Sequence, residues 1–204
     1  MRVTGIILAG GKSSRMGEDK SLVNLIGKPM IDYSIHTLQR AGISNIIINT
    51  NTPDAFLKYG FPICTDLIEN KGPLAGIYSS LLMSETDENV IIPCDSPFIT
   101  AGLLNKLIIN NVNNQISFVK FKNKYYPLIG CFKKSSLGQI KNMLDENNLK
   151  ARDLIMYQGT SILDLTNDFE QKSRIEIELA NINNKEERDY YEEKMSNQLL
   201  RTHC

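Results

Sequence analysis

The sequence has no surplus of either charge: Lys plus Arg and Asp plus Glu each number 23 among 204 residues. With no global field, nothing draws the chain to a nucleic acid or to an anionic membrane surface, and any basic patch must be local. A long hydrophobic run is also lacking. The apolar stretch from Val3 to Ala9 is far short of the roughly 20 residues a membrane-spanning helix needs, and it runs into glycines instead of a cleavage region, so a cytoplasmic protein is expected. The four cysteines, Cys64, Cys94, Cys131 and Cys204, form no C-x-x-C pair and have no histidine cluster beside them. That spacing argues against zinc and for reduced thiols, three of them within strands. Only two histidines occur, His36 in an expected helix and His203 beside the terminus, and both read as surface residues. No internal repeat or low-complexity linker divides the chain, and 42% hydrophobic residues suffice for one substantial core, so residues 1–204 are expected to form a single domain.

What is present is an alternation of strand and helix. Thr4 to Ala9 is apolar without alternation, the mark of a strand covered on both faces, and Gly10 and Gly11 stop it. From Pro29 a segment carries Ile31, Ile35, Leu38 and Ala41 at helical spacing, with Gly42 as the stop. Strands follow at Ile46 to Ile48, Pro62 to Cys64 and Val90 to Cys94, with a helical stretch after Gly72-Pro73-Leu74-Ala75-Gly76 that reaches about Ser84. The second half offers strands at 116–120, 127–132 and 161–165, helices at 103–110, 135–146 and 151–158, and a closing helix over 185–200 whose Tyr191, Met195 and Leu199 form one narrow stripe. The whole predicts an α/β protein of Rossmann-like type, a mostly parallel central sheet with helices on both faces.

In such sheets ligands collect beyond the carboxyl ends of the strands. Four expected strands end in Gly10-Gly11, Asn49, Asp66 and Asp95, which gathers two glycines, an amide and two carboxylates on one edge. The first loop runs from Leu8 through Ala9, Gly10, Gly11 and Arg15 to Lys20. Paired glycines let backbone N–H groups approach a phosphate, and Arg15 and Lys20 add positive charge, so a polyphosphate is the natural guest. A G-x-G-x-x-G fingerprint is absent, and Lys12-Ser13 fails the P-loop pattern because Ile6 stands where a glycine is required. Asp95, directly after a buried strand, suits either a metal-holding acid or a helix cap before Pro97. Asn49 and Asp66 suit either ligand contacts or caps of the loops they begin. As a ligand contact Asp66 fits a guanine N–H edge or a ribose hydroxyl equally well.

The string Leu8-Ala9-Gly10-Gly11-x-Ser13-x-Arg15-Met16-Gly17-x-Asp19-Lys20 resembles the signature of the molybdenum cofactor guanylyltransferases, within the wider nucleotidyltransferases that make sugar nucleotides. Further matches follow in order: Gly27-Lys28-Pro29, Asn49, Asp66, Gly72 to Gly76, Pro93 to Phe98 and Pro127 to Gly130. In related sugar-nucleotide and cytidylyl enzymes the first loop more often reads L-A-A-G or P-A-A-G, so Ala9-Gly10-Gly11 tilts towards the molybdopterin branch.

This resemblance implies a nucleotide-diphospho-sugar transferase type of fold, with residues 1–100 binding nucleotide and residues 101–204 binding the acceptor. It further implies transfer of GMP from GTP to the terminal phosphate of molybdopterin, with release of pyrophosphate. By the same resemblance Leu8, Ala9, Gly10, Gly11, Lys20, Asn49, Asp66 and Asp95 bind GTP, Asp95 also holds Mg²⁺, and Arg15 and Lys20 neutralise the phosphates. Molybdoenzyme maturation proteins are the further partners it suggests. Acceptor residues are harder to read, and Lys120, Lys122, Lys124 and Arg152 form only a polar, basic stretch that also suits a solvated face. Where the family often carries N-x-N-T-P, this chain has Asn181-Ile182-Asn183-Asn184-Lys185. The loss of Thr-Pro weakens the helix start and argues against reading an acceptor role into this segment. Two rivals remain: a cytidylyltransferase on the same scaffold, and a non-catalytic module that carries a bound nucleotide or cofactor.

Overall fold

The computed structural model describes residues 2–10, 20–167 and 172–201, with side chains to residue 194. Seven strands form one sheet: β1 (Val3–Leu8), β4 (Asn45–Asn49), β5 (Ile63–Cys64), β6 (Glu88–Pro93), β7 (Ile116–Phe121), β8 (Lys124–Lys133) and β9 (Thr160–Asp164), in the spatial order β5-β4-β1-β6-β8-β7-β9. Two further strands, β2 (Asn24–Leu25) and β3 (Lys28–Pro29), make a small antiparallel hairpin of their own. The pairs β1 with β4, β1 with β6, β4 with β5 and β7 with β9 are parallel; only β8 runs against its neighbours. The reason is local, because β7 and β8 are joined through Lys122 and Asn123 alone, a link long enough for a hairpin and too short for a crossover.

Helices cover both faces. On one, α1 (Met30–Arg40) and α3 (Ala101–Asn110) lay Ile31, Leu38, Leu103 and Leu107 against Ile7, Ile48, Val90 and Ile92. On the other, α2 (Pro73–Met83) and α4 (Leu137–Asp145) lay Leu74, Ile77, Ile140 and Met143 against Ile6, Leu8, Ile47 and Ile91. Neighbouring residues of β1 thus feed opposite cores, as the two-residue period of a strand requires, and this explains its unbroken apolar run.

The remaining helices are α5 (Lys172–Glu178) and α6 (Lys185–Arg201). Of these, α5 was not foreseen; its Ile175 and Leu179 just beyond it join the α1 face, while Glu178 accepts from the N–H of Thr100 at 3.1 Å, tying α5 to the start of α3. The expected helix over 151–158 is a 3-10 turn at Ala151–Met156, and a second unforeseen 3-10 turn spans Pro53–Tyr59. Helix α6 does dock through Tyr191, which packs with Phe98 on a cluster of Val23, Leu25, Met30 and Ile182; Met195 and Leu199 lie outside the described side chains. Its start is not weak. The Asn184 side chain accepts from Glu187 N at 2.8 Å and Glu187 reaches back to Asn183 N, which supplies the cap that Thr-Pro would otherwise provide.

Cys64 and Cys131 lie in strands and Cys94 one residue beyond β6; all three are buried, and Cys204 lies outside the described residues. His36 is an exposed residue of α1, while His203 is not described. Among the described residues no helix is long and apolar enough to cross a membrane.

Candidate functional site

Chain direction in the sheet sets where a ligand can sit. After β1 the chain crosses to β4 on one side, and after α2 it returns to β6 on the other, so β1 and β6 flank a topological switch point. Leu8 and Pro93 are paired there, and Cys94 N donates to Leu8 O at 3.1 Å, so Asp95 leaves β6 beside the exit of β1. Ala9 N in turn donates to Asn49 O at 2.8 Å, and Thr50 N to Cys64 O at 2.9 Å, which draws the ends of four strands into one edge. Among the described residues, a Cβ added to Gly10 would meet only Thr50 Cα, at 4.0 Å. Packing against the described residues does not demand glycine here, and a bare backbone is what close approach of a phosphate needs.

Lys20 reaches the same edge. Its Nζ donates to Asp95 Oδ2 and to Asn183 Oδ1, each at 2.8 Å, from a short 3-10 turn at Lys20–Leu22. That turn is held down by Ser21, whose Oγ donates to Ala9 O at 3.1 Å and lies 2.9 Å from Cys94 Sγ. One buried hydroxyl therefore ties the basic residue to the exits of both flanking strands. Gly11 and Arg15, the other residues expected in this loop, lie outside the described residues.

Asn49 and Asp66 form a second group on the edge. Asn49 Nδ2 donates to Asp66 Oδ1 at 3.0 Å and to Cys64 O at 3.3 Å. The glycine motif at the start of α2 stands directly against them: a Cβ on Gly76 would fall 2.3 Å from Asn49 Oδ1 and 3.3 Å from Asp66 Oδ1, so no larger residue fits unless Asn49 moves. Gly72 precedes α2 at φ 64°, a conformation that L side chains rarely adopt.

The segment 181–184 returns to this edge, beside Asp95 and Lys20. Ile182 N donates to Asp95 O at 2.8 Å, Asn181 Nδ2 lies 3.5 Å from Asp95 Oδ1, and Ser96 Oγ donates to Asn181 Oδ1 at 3.2 Å. Ile182 is fully buried while its two asparagine neighbours turn to the polar edge. A signal was there: Asn-Ile-Asn is an alternation of period two, which in an extended segment puts both amides on one side.

Of the four basic residues that the sequence offered for an acceptor, Lys120 and Lys122 are paired with Asp164 and Glu176. Lys124 and Arg152 line an open cleft of about 570 Å³ together with Lys150, Tyr125, Pro93 and Asn181. This cleft adjoins the exit of β6.

An acid, a lysine and several amides gathered at the switch point of such a sheet form an edge suited to a nucleotide, and the family match makes the chain a nucleotidyltransferase. The MobA-like NTP transferase domain matches residues 5–161, and the chain belongs to that family. A probable molybdenum cofactor guanylyltransferase of Flavobacterium johnsoniae is 34% identical over 186 residues, 91% of this chain and 94% of the relative. The molybdenum cofactor guanylyltransferase of Yersinia pestis (strain Pestoides F) is 41% identical over 108 residues, 52% of this chain and 55% of its own length. Among solved structures, molybdopterin-guanine dinucleotide biosynthesis protein A of Archaeoglobus fulgidus shares the fold with a TM-score of 0.79 at 19% identity, over 95% of this chain and 99% of that one.

Proposed function

We propose that this chain transfers GMP from GTP to the terminal phosphate of molybdopterin in the cytoplasm, releasing pyrophosphate, and that the product passes on to proteins that mature molybdoenzymes. The observation that carries the reading is the meeting of Lys20, Asp95 and Asn183 beside the exit of β1. A phosphate oxygen of the acceptor attacks the α-phosphorus of GTP, the bond from that phosphorus to the bridging oxygen breaks, and pyrophosphate departs with the electron pair. Since that oxygen is already ionised at neutral pH, no side-chain nucleophile or base is required, in keeping with the scarcity of histidine. Catalysis then rests on positioning and charge neutralisation. Lys20 supplies a fixed ammonium at the edge, and Arg15 a second cation from the loop. Leu8 and Ala9 lead the chain out of the sheet, and the diglycine turn of Gly10 and Gly11 would offer its N–H groups to the phosphates.

Mg²⁺ fits Asp95. Its Oδ2 faces positive charge, accepting from the Lys20 ammonium at 2.8 Å. Among the described residues no three His, Cys, Asp or Glu cluster as a protein-only cage. One carboxylate completed by phosphate oxygens and water is how Mg²⁺ is usually held. When bound, the ion would neutralise charge on the triphosphate. Residues 1–100 serve the nucleotide, with Asn49 and Asp66 at its base or ribose, and residues 101–204 serve the acceptor through the cleft of Lys124, Lys150 and Arg152. Within one chain 1–204 the partition is not strict, because Asn181 and Asn183 return to the nucleotide edge.

Purified protein is incubated with molybdopterin and either GTP or CTP while pyrophosphate release is followed. Turnover is expected with GTP; turnover with CTP alone would reassign the base. Asp95→Ala is expected to lower kcat at least about a hundredfold with the melting temperature little changed, whereas full residual activity would remove the metal role; binding of nucleotide by the wild-type protein with no turnover of GTP or CTP would favour a non-catalytic carrier.

A further inference from the structure

Asn51 lies just beyond β4 and is exposed, yet it makes a two-point contact with Asp66. Its Nδ2 donates to Asp66 Oδ2 at 3.0 Å, and its Oδ1 accepts from Asp66 N at 3.1 Å. The other carboxylate oxygen, Asp66 Oδ1, accepts from Asn49 Nδ2 at 3.0 Å. Each Asp66 oxygen thus has one donor from the protein, and the carboxylate plane is held from both sides. Stability alone does not account for the pair, since exposed polar contacts of this kind contribute little to folding. An ionised carboxylate oxygen accepts about two hydrogen bonds, so each keeps capacity for a second donor. Two acceptors side by side match the parallel N1–H and N2–H₂ donors of guanine. Cytosine and adenine offer an amino donor next to a ring acceptor instead, and would leave one carboxylate oxygen facing a lone pair.

We propose that Asn51 is a positioning residue that fixes the Asp66 carboxylate to read the N1–H, N2–H₂ edge of guanine, and thereby sets the base preference of the site. The proposal rests on the reading of Asp66 as a nucleotide contact. It is tested by comparing GTP with ITP, whose base keeps N1–H and lacks the 2-amino group, in wild type, Asn51→Ala and Asn51→Asp. Wild type should favour GTP over ITP in kcat/KM. Asn51→Ala should narrow that preference by about tenfold, the value of a hydrogen bond to a charged group, through a raised KM for GTP with kcat nearly unchanged. Asn51→Asp, which sets a like charge against Asp66, should narrow it at least as far. Melting temperatures of both variants should stay close to wild type, because residue 51 is exposed. An unchanged GTP:ITP ratio in whichever variant is folded overturns the role of Asn51 and leaves the nucleotide reading intact. If wild type itself fails to distinguish GTP from ITP, the reading of Asp66 at the base fails with it.

Discussion

At the scale of single residues, two sets of buried or paired groups behave in ways that can be measured directly. Asp164 accepts from Lys120 Nζ at 2.7 Å and from Thr166 N at 2.9 Å, and the Thr166 hydroxyl donates to it as well. The hydrogen bond from Lys120, followed by those from Thr166, pulls its carboxyl down to about 2. A carboxyl lowered in the folded state stabilises it above the unfolded value near 4 and loses that contribution as pH falls through about 2. NMR titration of the protein should therefore find Asp164 ionised well below pH 4, and Lys120→Ala should return its midpoint towards the ordinary range. Cys131 is the converse case. Burial first, and then the charge of Glu88, push its thiol strongly up. In peptide mapping by mass spectrometry, iodoacetamide should leave Cys131 unlabelled in the native protein and label it once the chain is unfolded. Asp66 and Asn49 were legible in the sequence as residues that end strands, but Asn51 was not. Its partner lies across a strand crossover, and nothing in an Asn-Thr-Asn string says which of its amides reaches another chain segment.

Elements divide along the same line. The parallel strands and their covering helices were legible because each carries a period its neighbours enforce: unbroken apolar residues in β1 and β6, and a helical stripe in α1. What escaped notice is short or locally polar. The β2–β3 hairpin pairs only two residues on each side, and α5 is a seven-residue helix with two apolar anchors. A 3-10 turn replaced an expected helix at 151–156 because Ala151 and Leu154, three apart, are the residues it turns inward. The start of α6 was misjudged for a physical reason. A missing Pro was given weight, while Asn184 followed three residues later by Glu187 is itself a capping pattern. Asn184→Ala should therefore lower stability by about 1 kcal/mol in urea unfolding, a shift of midpoint with no change of slope. A loss within error would mean that packing of Tyr191 alone holds the helix.

For the molecule as a whole, the notable link is between distant parts of the sequence. Ile182 is fully buried with Val23, Leu25 and Met30, and its N–H is bonded to Asp95 O. Ile182→Ala should cost about 2–5 kcal/mol of stability, measured by denaturant unfolding. It should also reduce turnover in protein that remains folded, because Asn181 and Asn183 are carried to Asp95 and Lys20 on either side of it. Loss of stability with undiminished kcat would separate the two roles. Alternation of strand and helix foretold the sheet, but no local pattern foretold this return, since burial of one isoleucine is decided by what it meets.

The return also bears on how the protein is made. During synthesis β1, β4, β5 and β6 emerge first, and they can assemble their parallel core with the phosphate edge open. The amides beside Lys20 and Asp95 arrive only with residues 181–183, 163 positions after Lys20 for Asn183 and 86 after Asp95 for Asn181. A ribosome-bound intermediate that had reached only β6 would thus hold the strand exits without their finishing clasp.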